Sequence, residues 1–224
     1  MPNWRPALAE PLQQLNEADV VASLTIKQRD RRDRIIGVAM SLAINGGYDA
    51  VQMRDVSAHS GVALGTIYRY FPSKDHLLVS VMAAWTDQLG EQLDQRPARG
   101  ATPASRVTDV LSRACRSLER QPLLAEAVIR AMTSTEIGVG TSSRDVGRNL
   151  RSMIEPLLGE FDLDTRDNVV DIINHVWLST LIAWSNGRLQ FSQVSQQLAM
   201  TVRMLLDADV RLPGRATRAL TPRA

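Results

Sequence analysis

Few residues in this chain of 224 are placed for bond-making chemistry. His59, His76 and His175 are the only histidines, and none has a second ligand-type residue at metal spacing. His175 follows Asp171 by one helical turn, the spacing of an i, i+4 ion pair at a pocket or dimer edge. The single cysteine, Cys115, has no activating partner in the sequence and reads as a small buried apolar residue. It also excludes an internal disulfide framework. No glycine-rich phosphate loop follows a strand, so the expectation is no catalytic residue, no metal ligand and no cofactor.

What the sequence does carry is the chemistry of non-covalent recognition, concentrated in residues 51 to 76. Val56, Val62, Ile67 and Phe71 are apolar anchors for two short crossed helices, and Ser60-Gly61 falls where the first must end and the chain reverse. That pattern is a helix-turn-helix. Its second helix is expected from about Ala63 to Tyr70, with Leu64, Ile67 and Phe71 turned inward at 100° per residue. Gly65, Thr66 and Arg69 then point away from the protein. Tyr68 and Tyr70 lie on the flanks, where a phenol can rest its ring on protein and extend its hydroxyl to a phosphate. A glycine that weakens a helix by roughly 1 kcal/mol needs a reason, and close approach to a duplex is one.

Pro72 ends the helix, Ser73 caps the next, and Lys74 puts a cation beside free backbone amides, an arrangement suited to a phosphate. Gln52 and Arg54 stand at the start of the first helix. Upstream, Arg31 and Arg32, with Arg29 and Arg34, look like an arm that contacts phosphates or the minor groove. Double-stranded DNA is the partner these residues suit. An ordinary surface hairpin would share the spacing, but it leaves Gly65, both tyrosines and Lys74 as unrelated choices.

Gly46-Gly47-Tyr48, the run from Gly65 to Phe71, and Ser73-Lys74 closely resemble the DNA-binding domain of the TetR family of bacterial transcriptional repressors. Within that family, Val51 to Arg54, Tyr68 to Lys74 and His76-Leu77-Leu78 are similar to repressors of cholesterol-catabolism genes in actinobacteria. The similarity reappears in Pro122-Leu123-Leu124, in Val176 to Ser179 and in Ala183-Trp184, while residues 135 to 165 carry no match. The resemblance implies a homodimer formed by the last two helices and a palindromic operator. It also implies release by a large apolar effector such as a sterol-derived or fatty acyl-CoA thioester.

The elements that must position these residues are all helical. With 44% hydrophobic residues the chain can bury a sizeable core. A net charge of +2 does not itself indicate a nucleic-acid partner, but its distribution is uneven. Residues 25 to 76 carry eight Lys/Arg against five acids, and residues 77 to 210 carry thirteen against sixteen. That break divides the chain into a mobile arm (1–24, with a short helix near Leu12 to Leu24), a three-helix helix-turn-helix domain (25–76), a larger α-helical ligand-binding and dimerisation domain (77–210), and a disordered basic tail (211–224). No apolar run long enough to span a bilayer and no leader occurs, so a cytoplasmic location away from membranes is expected.

Apolar spacing predicts a helix from Lys74 through Leu93, a loop at Arg96 to Gly100, and a helix opened by Thr102-Pro103 to about Arg120. Another opens at Pro122 and fades in a flexible connection at Ile137 to Gly140. Residues 141 to 160 return to helical spacing until Pro156 interrupts them. Asp164 or Thr165 is expected to cap the most apolar helix, Val169 to Trp184, and a last helix runs from Phe191 to Leu206. Those two are apolar on more than one side, which a four-helix bundle with a second copy, formed by residues 165–187 and 191–208, would satisfy. Leu124, Val128, Met132, Met153, Ile173, Trp177 and Trp184 are the candidate walls of a hydrophobic effector pocket. The same residues at the same spacing are what plain core shows. A DNA-binding dimer with no effector predicts a solid interior, whereas a ligand-responsive repressor needs a cavity on the order of 300 to 1,000 Å³.

Overall fold

The computed structural model describes residues 25–134 and 139–207, and every regular element among them is helical. Helix α1 (Ile26–Ala50) is opened by a capping box in which the Thr25 amide donates to the Gln28 side chain at 2.7 Å. Its buried stripe, Ile35, Ala39 and Ala43, repeats at i, i+4 and i+8. Gly47 kinks it with φ 68° and ψ −159°, a region open in practice only to glycine. A Gly47→Ala variant should therefore lose about 1 to 3 kcal/mol in urea unfolding; an unchanged midpoint would show that this kink is not strained.

Helices α2 (Met53–Ser60) and α3 (Leu64–Tyr70) cross through a turn at Gly61, whose φ of 66° lets its amide donate to the Ser57 carbonyl. Val56, Ile67 and Phe71 are fully buried between them, as the spacing requires. Ser73 then caps α4 (Lys74–Gln95), its hydroxyl accepting from the His76 amide. Leu77, Leu78, Val81, Met82, Trp85 and Leu89 form the buried stripe of α4, which runs from the helix-turn-helix into the second half of the chain. There it packs against α6 (Pro122–Met132) and α7 (Val139–Ile154), and it also touches α1.

Helix α5 (Pro103–Glu119) starts on the expected Thr102 cap with proline at its first position. Of the connection expected at residues 137 to 140, Val139 and Gly140 already belong to α7, and residues 137 and 138 lie outside the described residues. Pro156 ends α7 in a 3-10 turn, Glu155–Leu158. Helix α8 (Leu163–Ser185) begins before its apolar stripe and is capped by Asp162, not by Asp164 or Thr165. The Asp162 carboxylate accepts from both the amide and the hydroxyl of Thr165, and these bonds hold it below the usual carboxylate range. The polar first turn concealed that start.

Helix α9 (Phe191–Leu206) packs against α5 and α8. Val194, Leu198 and Val202 face inward, yet Met200 and Met204 are 52% and 66% exposed on the opposite side, as are Ile172 and Leu178 on α8 at 39% and 36%. Both helices thus keep apolar surface uncovered by this chain, the pattern from which a second copy was inferred. Among the described residues no helix is long and apolar enough to cross a membrane. The arm at 1–24 and the tail at 211–224 lie outside the described residues.

Candidate DNA-reading face and effector pocket

The helix-turn-helix presents a face built from the starts of α2 and α3. Gly65 is exposed, and a Cβ placed on it would meet nothing within 4 Å. Beside it stand Thr66, half-buried, Tyr68, 47% exposed, and Arg69, exposed with its guanidinium 5.9 Å from the Tyr70 ring centre. Gln52 and Arg54 are exposed at the start of α2, where Gln52 is the N-cap and its side-chain Nε2 donates to the Asp49 carbonyl at 2.8 Å. Arg31 is half-buried on α1.

Three residues expected on this face turn elsewhere. The Tyr70 hydroxyl is buried without a partner among the described residues, so it does not extend toward a phosphate. The Arg32 guanidinium lies 5.4 Å from the centre of the Phe71 ring and donates to Ser80 Oγ at 3.5 Å, bracing α1 against α4. Lys74 also points inward, where its Nζ donates to the Tyr48 carbonyl at 3.3 Å and sits 3.8 Å from the Tyr48 ring centre. Burial draws its ammonium below the ordinary lysine value. Of the two histidines in this region, His59 is exposed and His76 is buried against the Ser73 hydroxyl at 2.9 Å.

Tyr48 is the centre of a joint that the sequence did not expose. Its ring is gripped by Lys74 on one side and, 3.9 Å from its centre, by Arg130 of α6. The phenol donates to Asp75 Oδ1 at 2.7 Å. Burial first, and then the Asp75 hydrogen bond, push this phenol up to about 12, so it stays a neutral donor at ordinary pH. Arg130 also pairs with Asp49 at 3.7 Å, and Leu123 of α6 lies 3.8 Å from where a Gly47 Cβ would stand. Helix α6 is thereby seated on the kink of α1.

A cavity of about 300 Å³ opens between α4, α6, α7 and α8. Met132 and Trp177 are the two expected wall residues that line it, and Met82, Ile129, Val146, Leu150 and Leu181 supply most of the remaining apolar surface. Val146 and Leu150 were legible as an i, i+4 pair, but nothing in the sequence told a cavity wall from core. Leu124, Val128 and Ile173 are buried in the solid packing instead. Met153 lines a separate cleft next to Gly90, and Trp184 packs edge-on against Phe191 at 5.0 Å. Helical spacing fixes the side a residue faces, not whether the space there is filled, which is why five of the seven went to core or elsewhere.

The polar features of this cavity are few. Trp177 Nε1 is buried and has no hydrogen-bond partner among the described residues. Asp171, Asn174 and His175 stand on the α8 wall. The expected ion pair between His175 and Asp171 does not form; His175 Nδ1 lies 2.7 Å from the Asp171 backbone carbonyl, and the Asp171 carboxylate accepts from Arg151 at 2.7 Å. Larger clefts of about 590 and 510 Å³ have more polar walls, among them Asp33, Asp87 and Glu91. Cys115 is buried, which pushes its thiol up and removes it as a nucleophile at neutral pH.

The two halves of the chain match two parts of one family. Residues 35–81 match the family described as bacterial regulatory proteins, tetR family, and residues 100–205 match the tetracyclin repressor-like C-terminal domain. The chain is 37% identical over 180 residues to the HTH-type transcriptional repressor KstR of Mycobacterium tuberculosis, covering 80% of this chain and 82% of that protein. A TetR transcriptional regulator from Rhodococcus sp. RHA1 shares the structure with a TM-score of 0.72 at 31% identity, over 83% of this chain and 99% of that one. Thermus thermophilus FadR, solved in complex with lauroyl-CoA, shares the fold at a TM-score of 0.62 and 19% identity, over 86% of this chain and all of that one. With an exposed helix-turn-helix face at one end, an apolar cavity in the other half and both family matches in register with them, this chain belongs to the TetR family of bacterial regulatory proteins.

Proposed function

We propose that the chain is a ligand-responsive transcriptional repressor, binding a palindromic operator as a homodimer and released by a large apolar effector such as a sterol-derived or fatty acyl-CoA. Residues 25–76 form its DNA-binding domain and residues 77–210 its ligand-binding and dimerisation domain. The observation that carries the reading is on α6. Ile129 and Met132 line the cavity, while Arg130 between them grips Tyr48 at the joint with the DNA-reading unit. An effector that displaces Ile129 and Met132 must also move Arg130.

Dimerisation turns that small motion into a switch. Two recognition helices must stand about 34 to 36 Å apart to read one face of a duplex, so a shift of a few ångströms denies one of them its half-site. The coupling required is about 1 to 3 kcal/mol, a 5- to 150-fold change in operator affinity. The effector's class is supported by the apolar cavity walls and by the KstR and acyl-CoA-bound relatives. A DNA-binding dimer without an effector remains the other reading, and the cavity speaks against it.

Gly147 gives a clean test, since it lines the cavity and a Cβ there would meet nothing within 4 Å. A Gly147→Phe variant should bind operator as the parent does and lose at least tenfold in effector affinity, because the ring occupies the cavity. The effect is read by titrating acyl-CoA and sterol compounds against operator-bound protein. Unimpaired release would place the effector somewhere else.

A further inference from the structure

Toward the C-terminal end of α4, against α5, lies another cavity, of about 330 Å³, with the opposite chemistry. Its walls hold Arg96, Arg99, Arg113, Arg116 and Arg120, and among the described residues Asp109 is the one acid that lines it. Five of the thirteen basic residues of the acidic half of the chain converge here. Guanidinium groups repel one another, so their convergence needs either carboxylates between them or an anion.

The single carboxylate is already used. Asp109 pairs with Arg113 at 2.6 Å and accepts from the Arg99 amide at 3.0 Å. Arg113 in turn donates to the carbonyls of Arg96 and Pro97. These bonds pin the loop after α4 against α5, so the scaffold is ordered before any ligand arrives. Arg96, Arg99, Arg116 and Arg120 keep exposed side chains, and among the described residues none has a carboxylate partner.

We propose that this groove is a binding site for a small molecule carrying clustered phosphates. Planar, fork-shaped guanidinium groups match phosphate oxygens bidentately, and four of them around one cleft exceed what a single phosphate can use. Operator DNA is the wrong occupant, because Arg96, the C-cap of α4, stands roughly 33 Å along that helix from its DNA-proximal end at Lys74, and Arg99 follows in the loop beyond it. The shared chemistry has two sources: the diphosphate and ribose phosphate of a coenzyme A thioester, or a free nucleotide. Arg120 lies three residues before Leu123, which abuts the Gly47 kink, so occupancy bears on the same joint as the apolar cavity. The assignment does not depend on that cavity being an effector pocket.

The test is calorimetric titration of the full-length protein with pyrophosphate, ADP, coenzyme A, an acyl-CoA and the matching free fatty acid, with sulfate at matched ionic strength as control. An Arg96→Gln/Arg120→Gln variant is run alongside; both side chains are exposed, so folding is retained. The proposal expects at least one phosphate-bearing probe to bind in a salt-dependent way and at least tenfold more weakly to the variant. Acyl-CoA binding tighter than both coenzyme A and the free fatty acid identifies the effector's own phosphates as the source. ADP or pyrophosphate binding as well as coenzyme A does identifies a free nucleotide. Binding of none of the probes beyond sulfate, or binding that the variant leaves unchanged, overturns the site. A fatty acid that still binds in that case leaves the effector reading of the apolar cavity standing.

Discussion

Replacing Gly65 with glutamate is expected to leave the protein folded and to weaken operator binding by more than 100-fold. The site is exposed and open, so the new side chain meets nothing in the protein. It sits in the first turn of α3, where an acidic group is favourable to the helix and removing a glycine helps further. Stability should therefore hold or rise by a few tenths of a kcal/mol. Against DNA the same change inserts bulk and negative charge where backbone and duplex must approach. A cost of about 1.5 to 3 kcal/mol per half-site, paid twice in a dimer, is a factor of more than 100. Thermal melting and a fluorescence anisotropy titration read the two quantities separately. A folded variant with parental affinity would remove α3 from the interface.

The second large effect is loss of communication with both bindings intact. An Arg130→Ala variant cuts the contact between α6 and Tyr48, and its effect on stability should be under about 1 kcal/mol because the ion pair with Asp49 is 59% and 86% exposed. Operator affinity without effector and effector affinity without operator should both stay near parental. What falls is the ratio of operator affinities with and without effector. Two cation–π contacts per dimer at about 0.5 to 1 kcal/mol each lower that ratio roughly 5- to 30-fold. A Tyr48→Leu variant, which also frees Lys74 and Asp75, should show at least that loss, and the double variant little more than Tyr48→Leu alone, since both remove the Arg130–Tyr48 contact. Full release by either single variant would move the coupling path off α6.

Much of the architecture was legible because it rests on short-range chemistry. Thr102-Pro103, Ser73 and Gly61 mark helix ends through the hydrogen bonds they alone can make, and the structure places them there. The inward set Val56, Ile67 and Phe71 followed from the 3.6-residue period. Legibility failed where a side chain had a choice of partners far away in sequence. Lys74 and Arg32 were read as DNA-facing from their neighbours, but each found an aromatic ring instead, Tyr48 across 26 residues and Phe71 across 39. Arg130 carried no local signal, since its role exists only once α6 lies on α1.

The apolar cavity shows the same limit. Met132 and Trp177 line it, yet Leu124 and Val128, two turns and one turn before Met132 on the same helix, are sealed in core. Whether a helix face meets a void depends on how α4, α7 and α8 are spaced, a tertiary quantity that residue type does not encode.

The most direct measurement is operator affinity of the purified protein at fixed salt, with and without saturating acyl-CoA and sterol-derived compounds, using DNA from the region upstream of its own gene. The account predicts specific binding by the free protein and a 5- to 150-fold loss of affinity with one class of apolar compound. Specific binding that no compound alters would contradict the ligand-responsive switch, and no specific binding would contradict the repressor itself.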